Sequence, residues 1–397
     1  MLPDSVCNLI SMVFHILPVS NNKVLFSSFH GQYNDNPKYI SEEMHKRYPN
    51  IKQYWVFSNK SKMNDIPSYV HRLKYNTLQY CIIKNRCSLI VENGAGEYLF
   101  DNSSHFFTFK KKLKNKKQID FSTWHGNPIK HIGAQIPGNE FWNNNTFFTS
   151  SDIMIAGCER VKNIFSEAFL GKIPVELLGT PRTDILFNNN PEKNESLKRK
   201  LGLPQDKKIV LYAPTYRDNP DCSGVEQLKL LDFKKLFLAL KNRFGGEWVF
   251  VFRVHNMVLL KIDVESITKD YQGDIINGNM FDDMAEYLAV ADVLLSDYSG
   301  CIYDVALTNK PCFLFAFDKE NYEKEERGLY FPLDKFPYSF DETIEQLYKS
   351  IENYDEKEIE EKKREFLHFI GNIEDGNASA RVVDYLSKYI ECKNNKY

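Results

Sequence analysis

The sequence predicts an α/β protein made of two doubly wound halves, each built on a parallel sheet. Short β-branched or aromatic runs alternate with amphipathic stretches almost from end to end, a pattern typical of repeated βα units. The polar interval 187–196 interrupts this alternation and is the best candidate for a linker. A length of 397 residues is sufficient for about two domains, each with its own core.

In the first half, five segments are predicted as strands and three as helices. Each strand candidate is short and rich in β-branched or aromatic residues, and each helix candidate is amphipathic. The strands are 22–28, 53–59, 87–94, 119–126 and 152–158, and the helices are 37–48, 77–85 and 159–170.

The alternation restarts after the linker, and three helical segments then close the chain. The predicted strands are 207–215, 248–255, 292–299 and 311–317, and the helices between them are 233–244, 284–291 and 302–309. Two halves of this kind place a cleft between them, and open α/β sheets bind ligands beyond the carboxyl ends of their strands. We therefore expect the functional residues just after strands.

Composition excludes several classes of protein. Fifty-one basic residues oppose 53 acidic ones, for a net charge of −2, which argues against a nucleic-acid-binding surface. Eight scattered cysteines without a C-x-x-C pair argue against structural zinc and against a disulfide framework, and they indicate a reducing compartment. The absence of a D-x-D motif argues against a metal held by carboxylates, and we predict no metal and no cofactor.

The N-terminal residues are unusually apolar. Residues 6–17 are rich in Val, Leu, Ile, Met and Phe, but no stretch of 18 apolar residues exists, so a classical membrane span is excluded. No basic region or A-x-A site supports a cleaved signal peptide. Two interpretations stay open: a helix packed on its own domain, or a helix lying in a membrane interface.

The segment 121–133 places His125 at the carboxyl end of the predicted strand 119–126, followed by Gly126 and Pro128. An imidazole projecting from a strand end can take a proton from a hydroxyl near neutral pH. A single histidine is more often a core or turn residue. Lys130 and His131, however, make this segment more polar than a core requires.

In the second half, polar and cationic residues follow two successive strands. Thr215, Arg217 and Asp218 end the segment 211–218, and Arg253 and His255 end the segment 249–256. Arginine forks and imidazole donors suit a diphosphate. An ion pair between Arg217 and Asp218 is the simpler alternative, but the recurrence after two strands favours an anion site.

A short polar turn joins the strand at 292–299 to the helix that follows. Ser299, Gly300 and Cys301 lie where that helix begins, so backbone N–H groups and the Ser299 hydroxyl could hold a phosphate. Ordinary N-capping by Ser299 explains the same residues. Neither a P-loop nor a GxGxxG motif is present.

One strongly basic cluster occurs, in which six of the residues 110–117 are lysines. A solvated loop is the usual interpretation of such a run. Near an anionic leaflet, each lysine contributes about 1 kcal/mol, so the same cluster could help to hold a protein on a membrane.

Taken together, the motifs resemble one family, the CDP-glycerol:glycerophosphate glycerophosphotransferases and related ribitol-phosphate transferases of bacterial teichoic acid and capsule synthesis. The resemblance covers nearly the whole chain and keeps the family's motif order. Its motifs are FSSFHGQYNDNPKYI (26–40), TWHGNPIK, GTPRTDIL (179–186), APTYRD, FRVHN, LLSDYSGCIYD, Lys310-Pro311, YEKEERGLYF (322–331) and EDGNASARV (374–382). Gly300 stands where the family usually has a second serine, and Asn256 stands where it usually has proline.

The resemblance implies a GT-B-like fold of two Rossmann-type doubly wound domains facing a central cleft. We predict an N-terminal acceptor-binding domain over 1–188, a CDP-alcohol-binding domain over 189–376, and a C-terminal helical segment, 377–397, that packs back on the first domain. It also implies a cytoplasmic enzyme bound peripherally to the inner face of the bacterial membrane, where a lipid-linked acceptor lies.

The implied reaction transfers glycerol phosphate from CDP-glycerol to a hydroxyl of a teichoic acid or capsule precursor and releases CMP. His125 is the implied general base, and His255 is the second catalytic residue. Trp124, Gly126 and Lys130 are expected to contact the acceptor. The expected donor contacts are Thr215, Arg217, Arg253, His255, Asp297, Ser299, Gly300 and Arg327.

Three alternatives stay open at this point. The donor could be CDP-ribitol, or the fold could serve a nucleotide-sugar glycosyltransferase or epimerase, because fold does not fix function. A membrane-associated scaffold without catalysis is the third, and the presence of His125 and His255 argues against it.

Overall fold

The computed structural model describes residues 2–28, 31–57, 66–93, 117–137, 151–188, 190–215, 228, 230–254, 273–281, 283–320, 322 and 328–390. The chain forms two compact units. The first comprises 1–126, 132–184 and 373–397, and the second comprises 127–131 and 185–372.

The first unit contains a seven-stranded sheet in which every pairing is parallel. The strand order is β3-β2-β1-β4-β5-β6-β7, so the direction of winding reverses between β1 and β4. The strands are β1 Ser20–Ser27, β2 Lys52–Phe57, β3 Val70–Lys74, β4 Cys87–Glu92, β5 Ile119–Ser122, β6 Ile153–Ala156 and β7 Val175–Leu177. This order is that of a doubly wound sheet.

The second unit contains a six-stranded sheet, also parallel throughout, in the order β10-β9-β8-β11-β12-β13. Its winding reverses between β8 and β11. The strands are β8 Lys208–Tyr212, β9 Trp248–Phe252, β10 Ile275–Asn277, β11 Val293–Ser296, β12 Cys312–Phe315 and β13 Phe340–Asp341.

Helices connect most of the described strands. Several have ordinary caps, such as Thr77, whose hydroxyl accepts from Tyr80 N, and Thr343, which forms a capping box with Gln346. The described helices are α1 Asp4–Phe14, α2 Asp35–Arg47, α3 Leu78–Arg86, α4 Glu159–Ala168, α5 Asp184–Phe187, α6 Pro191–Lys200, α7 Phe233–Phe244, α8 Met284–Val290, α9 Cys301–Ala306, α10 Ile344–Glu352, α11 Glu356–Ile370 and α12 Ala378–Leu386.

Residues 127–131 lie in the part of the sequence that is predicted as the N-terminal domain, 1–188. They group with the second unit because their backbone pairs with residues 328–330. His131 N donates to the Gly328 carbonyl at 3.0 Å, and Tyr330 N donates to the Ile129 carbonyl at 3.0 Å.

The C-terminal helix α12 belongs to the first unit, in which it covers one face of the sheet. Its Val382, Val383 and Leu386 side chains are buried in the same cluster as Phe26 and Trp55 of the central strands. Burying three aliphatic side chains contributes about 1.5–3 kcal/mol each. The first unit is therefore completed by residues from the far end of the sequence.

Helix α1 is buried on one side and exposed on the other. One side packs on α3, where Cys7 is buried with Tyr80 and Cys81. The other side is apolar and exposed, with Leu9 63% and Val13 59% exposed; Ile16, just beyond the helix, is 85% exposed. No helix among the described residues is both long and apolar enough to cross a bilayer.

Candidate functional site

The first group of site residues lies where the winding of the seven-stranded sheet reverses. Asn93 follows β4, and His125 follows β5 by three residues. Asp35, at the start of α2, follows β1. The carboxyl ends of neighbouring parallel strands meet at one edge of a sheet, so these segments converge.

His125 is held in one tautomer. Its Nδ1 lies 3.0 Å from the Asn93 carbonyl oxygen. A carbonyl can only accept, so Nδ1 carries the proton and Nε2 carries the lone pair. The pKa of His125 is lowered to about 4, chiefly by burial, with the Asn93 carbonyl and Asp35 acting in the opposite direction and Arg182 lowering it. At neutral pH the imidazole is therefore an unprotonated base.

The backbone on either side of His125 is unusual. Trp124 has φ +50° and Gly126 has φ +133°, both in the region that disfavours ordinary side chains. The Trp124 indole stacks on the His125 ring with centroids 4.4 Å apart. A Cβ at Gly126 would lie 2.7 Å from Arg182 Nη2, so the glycine permits a close approach. Trp124 and Gly126, predicted to contact the acceptor, thus shape the setting of His125.

Three residues around His125 were missed by the sequence analysis: Asn93, Asp35 and Arg182. Arg182 Nη1 donates to the His125 carbonyl at 2.7 Å. Arg182 belongs to the GTPRTDIL motif, which carried the resemblance but received no chemical role. The family resemblance of this motif was the available signal for Arg182, because no spacing along the chain relates residue 182 to residue 125.

In the second unit, Asp297 joins the ends of two neighbouring strands. Its Oδ1 accepts from Thr215 N at 2.7 Å and from Tyr298 N at 2.6 Å. Asp297 is 0% exposed, and it follows β11, the partner of β8. The predicted donor residues Thr215 and Asp297 are therefore adjacent, and these contacts give Asp297 a role in holding the loop backbone.

The turn after β11 is compact. The Ser299 hydroxyl accepts from Cys301 N at 3.4 Å, at the start of α9. Gly300 has an ordinary φ of −58°, but a Cβ there would lie 2.8 Å from the Asn127 carbonyl oxygen. The close approach of Asn127 thus explains why glycine stands where the family usually has serine. The same approach brings the segments of Asn127 and Gly300, which belong to two of the predicted motifs, next to each other.

Arg253 and Lys130 each contact neighbours within the second unit. Arg253 Nη1 donates to the Gly278 carbonyl at 2.9 Å and the Phe281 carbonyl at 2.5 Å. Lys130 Nζ lies 4.7 Å from the centroid of the Tyr322 ring. Arg253 therefore braces the loop after β10, in addition to any contact with a ligand.

Three predicted donor residues, Arg217, His255 and Arg327, lie outside the described residues, as do the lysines 110–116. Over the described ranges, no group of three or more His, Cys, Asp or Glu side chains is arranged to hold a metal ion.

Comparisons with known proteins agree on one family. The model of the CDP-glycerol:poly(glycerophosphate) glycerophosphotransferase family matches residues 9–388. A teichoic acid poly(glycerol phosphate) polymerase of Staphylococcus epidermidis is 30% identical over 94% of this chain and 51% of its own length. A teichoic acid glycerol-phosphate transferase of Staphylococcus aureus is 26% identical over 93% of this chain and 94% of its own length.

Among solved structures, the wall teichoic acid polymerase TagF has a TM-score of 0.77 at 27% identity, over 96% of this chain and 93% of the solved one. One solved form of TagF is a histidine-to-asparagine variant with CDPG. The chain spans about half the length of the first two curated polymerases that it matches.

Proposed function

Because the chain belongs to the CDP-glycerol:poly(glycerophosphate) glycerophosphotransferase family, we propose that it transfers glycerol phosphate from CDP-glycerol to a hydroxyl of a membrane-linked teichoic acid precursor. The acceptor oxygen attacks the phosphorus that carries glycerol. The new O–P bond forms as the bond to the CMP oxygen breaks, and CMP leaves. Such transfers depend mainly on positioning and charge stabilisation.

In this proposal His125 takes the proton of the attacking hydroxyl at Nε2. The observation that carries the assignment is the 3.0 Å contact of Nδ1 with the Asn93 carbonyl, which leaves the lone pair on the other nitrogen. A pKa lowered to about 4 keeps the ring neutral before reaction. Trp124 and Gly126, which flank His125, are proposed to contact the acceptor, and Lys130 is proposed as a further acceptor contact.

The donor diphosphate is assigned to the second unit. Thr215, Ser299 and Gly300 supply backbone or hydroxyl donors after β8 and β11. Arg217, Arg253, His255 and Arg327 supply positive charge and hydrogen bonds as CMP departs. Asp297 contributes by holding the Thr215 and Tyr298 amides.

The proposal is tested by incubating the purified protein with a lipid-linked acceptor analogue and CDP-glycerol, CDP-ribitol or a UDP-sugar in separate reactions. We expect mass spectrometry to find acceptor lengthened by glycerol phosphate units and an equal amount of CMP. Lengthening with CDP-ribitol alone would reassign the donor. Consumption of the UDP-sugar in place of both polyol donors would reject the proposed reaction.

We further infer that α1 places the enzyme on an anionic membrane surface. Its outward side exposes Leu9, Met12 and Val13, while the opposite side is fixed to α3. A single modest apolar anchor is too weak for stable attachment without an electrostatic contribution. The lysines 110–117 are proposed to supply it, since such attraction acts within a Debye length of about 8 Å at physiological salt.

Replacing Leu9, Met12 and Val13 together by serine is expected to reduce co-sedimentation with anionic vesicles by at least about tenfold, because burying each apolar side chain contributes about 1.5–3 kcal/mol. The matched control replaces Leu238 and Met280, which are similarly exposed on the second unit. Unchanged sedimentation of the α1 variant would reject the anchor. Residual binding that falls with added salt would identify the lysines as its source.

A further inference from the structure

The residues around His125 form a closed hydrogen-bonded ring. Arg182 Nη1 donates to the His125 carbonyl at 2.7 Å and to Asp35 Oδ1 at 3.2 Å. Asn93 Nδ2 donates to Asp35 Oδ2 at 2.7 Å. The Asn93 carbonyl then accepts from His125 Nδ1 at 3.0 Å. The ring holds His125 at two points, by its backbone carbonyl and by its imidazole.

The ring lies in a poorly solvated place. Asn93 is 0% exposed, and the side chains of Arg182 and Asp35 are each 13% exposed. Hydrogen bonds and charge pairs act more strongly where water is excluded, and an unpaired member costs more there. Removal of one member should therefore disturb the other three.

Two members or neighbours of the ring adopt backbone conformations that need support. Asp35 has φ +55° and Trp124 has φ +50°, values uncommon for residues with a Cβ. Such conformations persist where the surroundings determine them, and they cluster at functional sites. Asp35 is held through both carboxylate oxygens. The Trp124 carbonyl accepts from Asn36 Nδ2 at 3.2 Å.

The turn that carries Arg182 is itself fixed from two sides. Arg182 N donates to Asn36 Oδ1 at 3.0 Å, which ties the turn to α2. Thr180 N donates to Glu374 Oε1 at 2.7 Å, and Asp184 accepts from Ser379 N at 2.7 Å. The GTPRTDIL and EDGNASARV motifs thus meet, and together they set the position of the Arg182 guanidinium.

We propose that Arg182 and Asp35 are positioning residues for the general base, acting through His125 without touching the reacting atoms. The role of His125 as a base rests on the proposed function. The ring fixes the imidazole tautomer and the direction of Nε2. The charges of Asp35 and Arg182 have opposite effects on the imidazole.

The opposite effects of these two charges allow a test that distinguishes positioning residues from residues that only stabilise the fold. The charged groups that act on the imidazole are Asp35 on α2, which raises the pKa of His125, and Arg182 on the turn at 181–183, which lowers it; burial is the larger influence. Arg182→Gln should therefore raise the pKa of His125, and Asp35→Asn should lower it. General damage to the fold would not shift the pKa in opposite directions.

The test measures two properties of each variant. Nuclear magnetic resonance of ¹⁵N-histidine-labelled protein gives the tautomer and pKa of His125, whose signal is assigned with His125→Gln. Steady-state kinetics give kcat and the KM for CDP-glycerol. We expect kcat to fall by about 10²-fold with little change in KM, because a small misplacement of a catalytic group has an effect of this size. Arg182→Lys keeps the charge and should restore the pKa of His125 more than kcat.

Arg47→Gln and Asp384→Asn are the matched controls. These two residues form an exposed pair at 2.7 Å in the same unit, and exposed pairs contribute little. Wild-type kcat in both ring variants, or pKa values of His125 that move in the same direction, would overturn the proposal. If wild-type protein transfers no glycerol phosphate, the proposed function fails, while opposite pKa shifts still support the ring.

Discussion

Replacing His125 by alanine is expected to lower kcat by about 10²–10⁴-fold, the usual contribution of a positioned general base. The imidazole is half-buried at the carboxyl edge of the first sheet, with Nδ1 engaged by the Asn93 carbonyl. Alanine removes the proton acceptor together with the hydrogen bond to the Asn93 carbonyl. The affinity for CDP-glycerol, assigned to the second unit, should therefore stay close to that of the wild type.

The measurement is turnover with a lipid-linked acceptor analogue, accompanied by titration with CDP-glycerol and a thermal melt. His71→Ala is the control, because His71 is an exposed histidine on β3 of the same sheet. A folded His125→Ala protein with wild-type turnover would exclude His125 as the base. Loss of donor affinity together with turnover would instead place His125 in the donor site.

The pH dependence follows from the same environment. Because the folded-state pKa of His125 is lowered to about 4, the base should remain active well below pH 6.5, the ordinary histidine value. The free energy of unfolding depends on pH through the same group. Because the folded protein favours the neutral ring, the contribution of His125 to the free energy of unfolding is complete above about pH 6.5 and is lost as the pH falls toward 4. His125→Ala should remove that part of the acid sensitivity.

The predicted fold class, two doubly wound α/β units of the GT-B-like type, is confirmed, and so is the family resemblance. The central strands were predictable because parallel strands buried on both faces read as continuous apolar runs. Four strands were missed, and every one of them is at an edge of its sheet: Val70–Lys74, Val175–Leu177, Ile275–Asn277 and Phe340–Asp341. Edge strands bury fewer residues, so their sequence signal is weak; in β3 only Val70 and Leu73 are buried.

In the candidate site, too, some features could be predicted from the sequence and others could not. The position of His125 could be predicted because a strand end precedes it directly in the sequence. Its partners could not, since Asp35, Asn93 and Arg182 come from three other segments that only the folded sheet brings together. The same reason hid the roles of Glu374 and Asp184, which link residues almost 200 positions apart. The sequence predicts features that depend on neighbouring residues, such as a strand end. It does not predict which distant segments the fold brings into contact.

Asp297→Ala is expected to lower the free energy of unfolding of the second unit by about 2–5 kcal/mol, because it leaves the Thr215 and Tyr298 amides without their acceptor. The affinity for CDP-glycerol should fall with it, since these amides belong to the loops assigned to the donor. Asp297→Asn keeps a carbonyl oxygen at the Oδ1 position and should retain most of the stability. A larger loss of unfolding free energy in Asp297→Ala than in Asp297→Asn is expected if the hydrogen-bond acceptor matters more than the carboxylate charge.

Denaturant unfolding and CDP-glycerol titration of both variants measure these effects. Asp341→Ala is a matched control: Asp341 is also buried, and its Oδ1 accepts from the Ser350 hydroxyl at 2.8 Å. Burial raises the pKa of Asp341 to about 6, so its removal relieves a desolvated carboxyl and should cost less stability. Equal losses in Asp297→Ala and Asp297→Asn would show that charge matters more than the acceptor geometry at Asp297. A stable Asp297→Ala protein with unchanged donor affinity would remove Asp297 from the site altogether, because both roles depend on the same two amide hydrogen bonds.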